Sequence, residues 1–244
     1  MAFTDGNTIA PMVTSQDYKR VRDGNEGPNT GGMGAYSPAR VMTPELEQEI
    51  MERIMLPTIC GLKKENIMYK GILYAGIMVK EGKPWVLEFN CRFGDPETQA
   101  VLMRLDTDLL DIFMAINDGT LGKLEVKWKE GASMCVVMAS EGYPGKFVKG
   151  KAVTGLDTLK GYGDTEVFHS GTGFDHKGIV TSGGRVLAVT SIGRNLRDAK
   201  KRAYDAVEKI HFDNKVYRKD IGDVIVPRVT HNCGTIPVFP KEYK

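Results

Sequence analysis

A chain of 244 residues, 41% hydrophobic and 26% charged, has the composition of a globular protein with room for one large core or two modest ones. Its 33 basic and 31 acidic residues nearly cancel, and the net charge of +2 gives no electrostatic footprint for nucleic acid. No apolar run reaches the ~18 residues that a membrane span needs, and the N-terminus lacks the basic-then-apolar pattern of a secretory signal.

Residues 1–14 read as the tail of a hairpin, with Asp5-Gly6-Asn7 as the turn between short apolar pieces. Residues 22–38 read as loop, because Gly24, Gly27, Pro28, Gly31, Gly32 and Gly34 recur too often for helix or strand. Thr43-Pro44-Glu45 starts a helix with an N-cap, a proline at the first helical position and an early acid. Leu46, Ile50 and Ile54, joined by Met51 and Met55, give that helix its buried stripe. Strands follow over 70–79 and 85–90, joined by a Glu81-Gly82-Lys83-Pro84 turn. Residues 99–116 read as a second long helix, apolar at Val101, Leu102, Leu105, Leu109, Ile112, Phe113 and Ile116, and ended by Asn117-Asp118-Gly119.

After about residue 122 the texture changes to short strands (134–139, 167–170, 185–192) and a helix over 195–210. This pattern predicts an α+β module, an antiparallel sheet with a helix on one face. Residues 226–244, with Pro227, Pro237 and Pro240, read as an extended tail. Cys60, Cys91, Cys135 and Cys233 are far apart with no C-x-x-C spacing, which argues against a zinc site or a disulfide framework and suits a reducing cytoplasm. Cys135 reads as a small core residue. His169, His176, His211 and His231 lack metal-ligand spacing, and none is assigned a catalytic role.

The chemistry concentrates in Val86-Leu87-Glu88-Phe89-Asn90-Cys91-Arg92-Phe93-Gly94-Asp95-Pro96-Glu97, a strand running into a polar turn. Strand alternation puts Glu88 and Asn90 on one face and Leu87 and Phe89 on the other. A carboxylate and an amide oxygen converging from one strand suit Mg²⁺, which takes its other ligands from phosphate and water; the alternative is a solvated sheet face. Arg92 continues on the Glu88 face and offers a planar fork for a phosphate or carboxylate. Its alternative is to brace the turn by pairing with Asp95 or Glu97. Those two acids either bind an amine or cap the helix that begins near Pro96.

The Glu88–Glu97 string resembles the metal-binding strand and following loop of ATP-grasp ligases, and within them the glycinamide ribonucleotide synthetase family. Asp17-Tyr18-Lys19-Arg20 and Gly27-Pro28-Asn29-Thr30-Gly31-Gly32-Met33-Gly34-Ala35-Tyr36-Ser37-Pro38 resemble that family's segments, as do Ala139-Ser140-Glu141-Gly142-Tyr143-Pro144 and Arg218-Lys219-Asp220-Ile221-Gly222. The resemblance covers roughly residues 1–222 in unbroken order. It implies the second half of an ATP-grasp domain over 1–122, a small C-terminal α+β domain over 123–225 and the tail over 226–244.

The implied activity is ATP-dependent ligation of glycine to 5-phosphoribosylamine through a glycyl phosphate, in purine biosynthesis. The implied cofactors are ATP and Mg²⁺ or Mn²⁺, with Glu88 and Asn90 holding the metal. Arg92 would orient the carboxylate, and Lys19 and Arg20 would contact phosphate. Asp17 would position Arg20 or the substrate amine. Asn29, Thr30, Gly31, Gly32, Met33 and Gly34 would form a substrate-binding loop whose backbone N–H groups approach an anion, and Asp95 and Glu97 would bind substrate. Against the family pattern the chain opens at Met1-Ala2-Phe3-Thr4-Asp5-Gly6, which looks like the middle of that domain. The expected partner is therefore a missing N-terminal portion carrying the phosphate-covering loop and adenine pocket, and the chain alone is expected to be inactive. The competing readings are a different ATP-grasp carboxylate–amine ligase and a non-catalytic stand-alone fragment.

Overall fold

The computed structural model describes residues 1–176 and 178–223; the tail expected over 226–244, with His231 and Cys233, lies outside them. In chain order the first elements are β1 (Ala2–Thr4) and β2 (Ile9–Pro11), an antiparallel hairpin as expected. The buried Asp5 fixes its turn, accepting the N–H groups of Asn7 at 2.9 Å and Thr8 at 2.7 Å, and that of Leu121 at 3.2 Å. Burial works against its charge, but these donors hold the carboxyl below its ordinary range.

The glycine-rich stretch is not simply loop. It holds β5 (Glu26–Asn29) and β6 (Gly34–Ser37), which pair with two short strands just before it, β4 (Arg20–Arg22) with β5 and β3 (Gln16–Asp17) with β6. The glycines serve the bends between them: Gly24 (φ 70°) and Gly32 (φ 115°) take backbone conformations that a side chain would strain.

Helix α1 (Pro44–Ile50) starts where expected, with Thr43 Oγ1 accepting the Leu46 N–H at 3.2 Å. It continues through a π-helical turn, Met51–Met55, into α2 (Leu56–Lys64). Leu46, Ile50, Met55 and Ile59 pack with Ala2 and Leu73 beneath the sheet formed by β1, β2, β7 (Gly71–Lys80) and β8 (Lys83–Asn90). The order of that sheet is β2-β1-β7-β8.

The single helix expected over 99–116 is two helices, α3 (Glu97–Leu102) and α4 (Leu109–Asp118). Between them Arg104 turns inward to donate to Ser37 Oγ at 2.9 Å and the Lys129 carbonyl at 3.3 Å. Asp108 then restarts the helix by accepting the Leu110 N–H at 2.8 Å. Gly119 ends α4 in the left-handed conformation, as read.

The later part is the expected α+β module. It comprises β9 (Ala132–Ser140), β10 (Thr165–His169), β11 (Thr172–Asp175), β12 (Gly178–Thr181), β13 (Arg185–Gly193), α5 (Leu196–Val207) and β14 (Lys215–Val216). The β11–β12 hairpin and β14 were not anticipated. Ala199, Ala203, Ala206 and Val207 of α5 bury against Met134, Val136, Met138, Leu187 and Val189. Cys135 is buried in the strand core, and burial pushes its thiol up to about 12. The main sheet runs β10-β13-β9-β6-β3, with β14 also on β9. Strands β3 and β6 from the early segment complete this sheet, so the division expected at 122–123 runs through it. That shared sheet carries the segment after β3 to the mouth of the site.

Candidate functional site

A cleft of about 840 Å³ opens beside β7 and β8. Six of the expected residues line it: Asp17, Lys19, Asn29, Thr30, Glu88 and Glu97. A smaller pocket of about 200 Å³, lined by Ser140, Lys146, Phe147 and Asp213 among others, contains none of them.

The base of the cleft is acidic. Glu97, the first residue of α3, is only 4% exposed, and the Tyr74 hydroxyl donates to its Oε1 at 2.8 Å. A Cβ at Gly94 would lie 2.6 Å from Glu97 Oε2, so glycine there makes room for the buried acid. Burial, and next the charge of Asp17, raise the Glu97 carboxyl above its ordinary value, against the pull of Tyr74 and Lys19. Burial and the Glu97 charge push the Tyr74 phenol far up. Lys19 Nζ forms an ion pair with the buried Asp17 Oδ2 at 2.9 Å. Burial opposes the Lys19 charge, yet Asp17, with Glu97 and Glu88 beyond it, keeps the ammonium above its ordinary value. Three carboxylates acting on one ammonium attract a further cation such as an amine.

Glu88 on β8 faces Gly76 on β7, where a Cβ would stand 3.1 Å from Glu88 Cγ. Gly76 thus leaves the acid room to lie across its neighbour. The register shifts here: Gly76 pairs with Glu88 but Ile77 with Val86, leaving Leu87 as the extra residue of a bulge. Leu87 therefore lines the cleft beside Glu88, where simple alternation turned it away. Asn90 lies opposite Tyr74, outside the lining, and its Oδ1 accepts from Arg92 Nη2 at 3.3 Å. Arg92 also donates to the Phe93 carbonyl at 2.8 Å. It forms no ion pair with Asp95 or Glu97, which corrects the bracing alternative for this residue.

The other expected residues have structural partners. Arg20 donates to the Gly27 carbonyl at 2.6 Å and braces the β4–β5 hairpin, apart from Lys19. The loop amides that were expected to approach an anion are engaged. Thr30 N–H donates to the Lys19 carbonyl, Gly31 N–H to the Tyr143 hydroxyl, Gly32 N–H to Thr30 Oγ1 and Met33 N–H to the Tyr18 carbonyl. Met33 is fully buried, and Gly34 lies in β6. Asp95 is held by Arg185 at 2.7 Å and by Gln99 at 3.0 Å, so it neither caps the helix nor faces the cleft.

Sequence reasoning missed Tyr74 and Arg185, and quoted Arg218 in a segment without giving it a role. Arg218 is buried, bonded through Nε and Nη2 to both Asp220 oxygens at 2.7 Å. Its Nη1 reaches Asn25 Oδ1 at 2.9 Å and the Arg20 carbonyl at 3.0 Å, and it stacks 4.7 Å from the Tyr18 ring centroid. This fastens the β4–β5 hairpin to the C-terminal segment. Tyr74 could be found as the strand residue facing Asn90; Arg185 follows a glycine pair and has no local signal.

An antiparallel sheet carrying an acid and an amide on β8 above a charged cleft belongs to the ATP-grasp fold. The biotin carboxylase subunit of pyruvate carboxylase shares the fold, with a TM-score of 0.57 at 14% identity over 88% of this chain and 46% of its own. The same holds for the biotin carboxylase domain of Hydrogenobacter thermophilus 2-oxoglutarate carboxylase, solved with MgADP and bicarbonate, at a TM-score of 0.52, 15% identity and coverage of 76% and 40%.

Residues 1–98 match the phosphoribosylglycinamide synthetase ATP-grasp (A) domain and residues 133–224 the phosphoribosylglycinamide synthetase C domain. The chain belongs to the phosphoribosylglycinamide synthetase family. It is 50% identical over 224 residues to a phosphoribosylamine–glycine ligase of Escherichia coli O6:H1, covering 91% of this chain and 52% of that one. It is 48% identical over 223 residues to that of Vibrio parahaemolyticus, with the same coverage. The crystal structure of the Thermotoga maritima phosphoribosylamine–glycine ligase gives a TM-score of 0.81 at 35% identity, over 90% of this chain and 54% of that one. The chain thus spans about half the length of the relatives it matches.

Proposed function

We propose that this chain forms part of a phosphoribosylamine–glycine ligase, joining glycine to 5-phosphoribosylamine with ATP through a glycyl phosphate. The observation that carries the reading is the cleft, which gathers Asp17, Lys19, Asn29 and Thr30 with Glu88 and Glu97. The reaction must bring two anions together, the glycine carboxylate and the γ-phosphate, and bound MgATP supplies the phosphoryl group and part of the neutralisation.

Glu88 and Asn90 fit a divalent cation, Mg²⁺ or Mn²⁺, as one carboxylate and one amide oxygen of hard-ligand type. Among the described residues no group of three or more His, Cys, Asp or Glu could hold an ion unaided, so in this reading phosphate and water complete the set. Lys19, kept charged by Asp17, faces phosphate. Glu97 and Asp17 take up an ammonium or amine at the acidic base. Arg92 orients the glycine carboxylate once it leaves its 3.3 Å bond to Asn90. Arg20, Asp95 and the 31–34 backbone serve as frame, since their polar groups already have protein partners.

The portion that the relatives have beyond this chain supplies the rest of the site. The β8 edge supports this: Trp85, Val86, Leu87 and Phe89 are each more than two-fifths exposed, as is Met78 on β7. A complete ligase containing this sequence is expected to release phosphate only when ATP, glycine and phosphoribosylamine are all present. Equal release with another carboxylate or amine would instead mark a different ATP-grasp ligase.

A further inference from the structure

We propose that Arg185 is a positioning residue for the ligation site, through which the C-terminal sheet sets the geometry of the cleft; this rests on the ligase reading above. Arg185 opens β13, far from the cleft residues in sequence, and its side chain is only 20% exposed. Its Nη1 donates to the Gly31 carbonyl and the Asp95 carbonyl, each at 3.0 Å, with the Gly32 carbonyl at 3.4 Å. Its Nη2 donates to Asp95 Oδ2 at 2.7 Å. One planar guanidinium therefore ties together two segments that do not follow each other in the chain.

Each segment leads directly into the cleft. Gly31 follows Asn29-Thr30, and Asp95 stands two residues before Glu97. The two meet without slack: a Cβ at Gly32 would fall 2.3 Å from Pro96 Cδ, and one at Gly31 would fall 3.1 Å from Arg185 Cζ. Gln99 Nε2 holds the second Asp95 oxygen at 3.0 Å, so the carboxylate is fixed from both sides. The spacing between Asn29-Thr30 and Glu97 is thus set by a residue that touches neither. A lysine at 185 keeps the charge but cannot span both segments with parallel donors. Asp95 is about half exposed, Arg185→Lys keeps the charge and Asp95→Asn keeps the shape, so these two variants are expected to fold.

The test uses the complete ligase with Arg185→Lys, Arg185→Gln, Asp95→Asn and the Arg185→Gln/Asp95→Asn double variant. The expected result is a loss of about 10- to 100-fold in kcat/KM for glycine or phosphoribosylamine, the scale of a small misplacement of reacting groups. The KM for ATP and the thermal midpoint stay close to wild type. The double variant is no worse than Arg185→Gln, because both changes break one unit. Wild-type kinetics in Arg185→Lys, or a loss in all three substrates that tracks the midpoint, would overturn the proposal. Amide hydrogen exchange on the same proteins needs no turnover. Faster exchange at Gly31 and at Thr98, in the first turn of α3, supports the clamp, and unchanged exchange overturns it. Wild-type enzyme lacking glycine-dependent turnover would defeat the ligase reading, and exchange would still decide the role of Arg185.

Discussion

Glu97 carries its carboxyl against the Tyr74 hydroxyl and near Asp17, out of water. Because its folded titration lies above the ordinary 4.5, the folded chain holds this proton more tightly than the unfolded chain. The stability it contributes is fully present below 4.5 and is lost as pH rises through the folded value. Glu97→Gln keeps an oxygen to accept from Tyr74 and removes the charge. Its thermal midpoint relative to wild type is expected to climb as pH rises from 4.5 toward neutral; a difference that stays flat or shrinks would show that the acid is not strained by burial. At this scale the sequence was informative where polar residues crowd after an apolar strand, which brought out Glu88 and Glu97, both in the cleft lining. Arg185 escaped because its partner Asp95 lies 90 residues away and only the tertiary fold joins them. The same pairing explains why Asp95 reads as a site acid in sequence and is a structural one in the fold.

The elements show where local rules were overridden. The apolar spacing through Leu102, Leu105 and Leu109 continues across the gap between α3 and α4, so periodicity alone read one helix. The break was written in Asp106-Thr107-Asp108, a cap signal inside an apolar run. Glycine density concealed β5 and β6 for a related reason. Short strands held by pairing, β5 to the neighbouring β4 and β6 to the distant β9, need little propensity of their own, and their glycines sit where the backbone must bend. Gly32 is the sharpest of these, with φ 115° and Pro96 Cδ at 2.3 Å from any added Cβ. Gly32→Ala is expected to destabilise by about 1–3 kcal/mol from backbone strain, with further loss from that contact. Urea unfolding measures it, and a change within error would mean that this turn relaxes freely.

For the whole molecule, the antiparallel sheets, the α5 layer and the limits of β7, β8, β9, β10 and β13 were legible, because burial imposes period 2 or 3.6 on the sequence. The joining of early and late segments into one sheet was not, since strand pairing at long range leaves no local mark. The exposed apolar side chains of β8 and the half-length match to relatives bear on activity. The 244-residue chain by itself is expected to show no turnover, because part of a preorganised site supplies little of its rate; substrate-dependent phosphate release from the isolated chain would refute this.

The most direct test of the account is phosphate release dependent on glycine and phosphoribosylamine, by a complete ligase containing this sequence, compared with its Glu88→Gln variant. If the cleft beside β8 is where the phosphoryl group is transferred, the variant loses about 10²-fold or more in kcat with an unchanged thermal midpoint, since a carboxylate is removed where charge must be neutralised. Wild-type kcat in Glu88→Gln at ordinary Mg²⁺ concentration would contradict it.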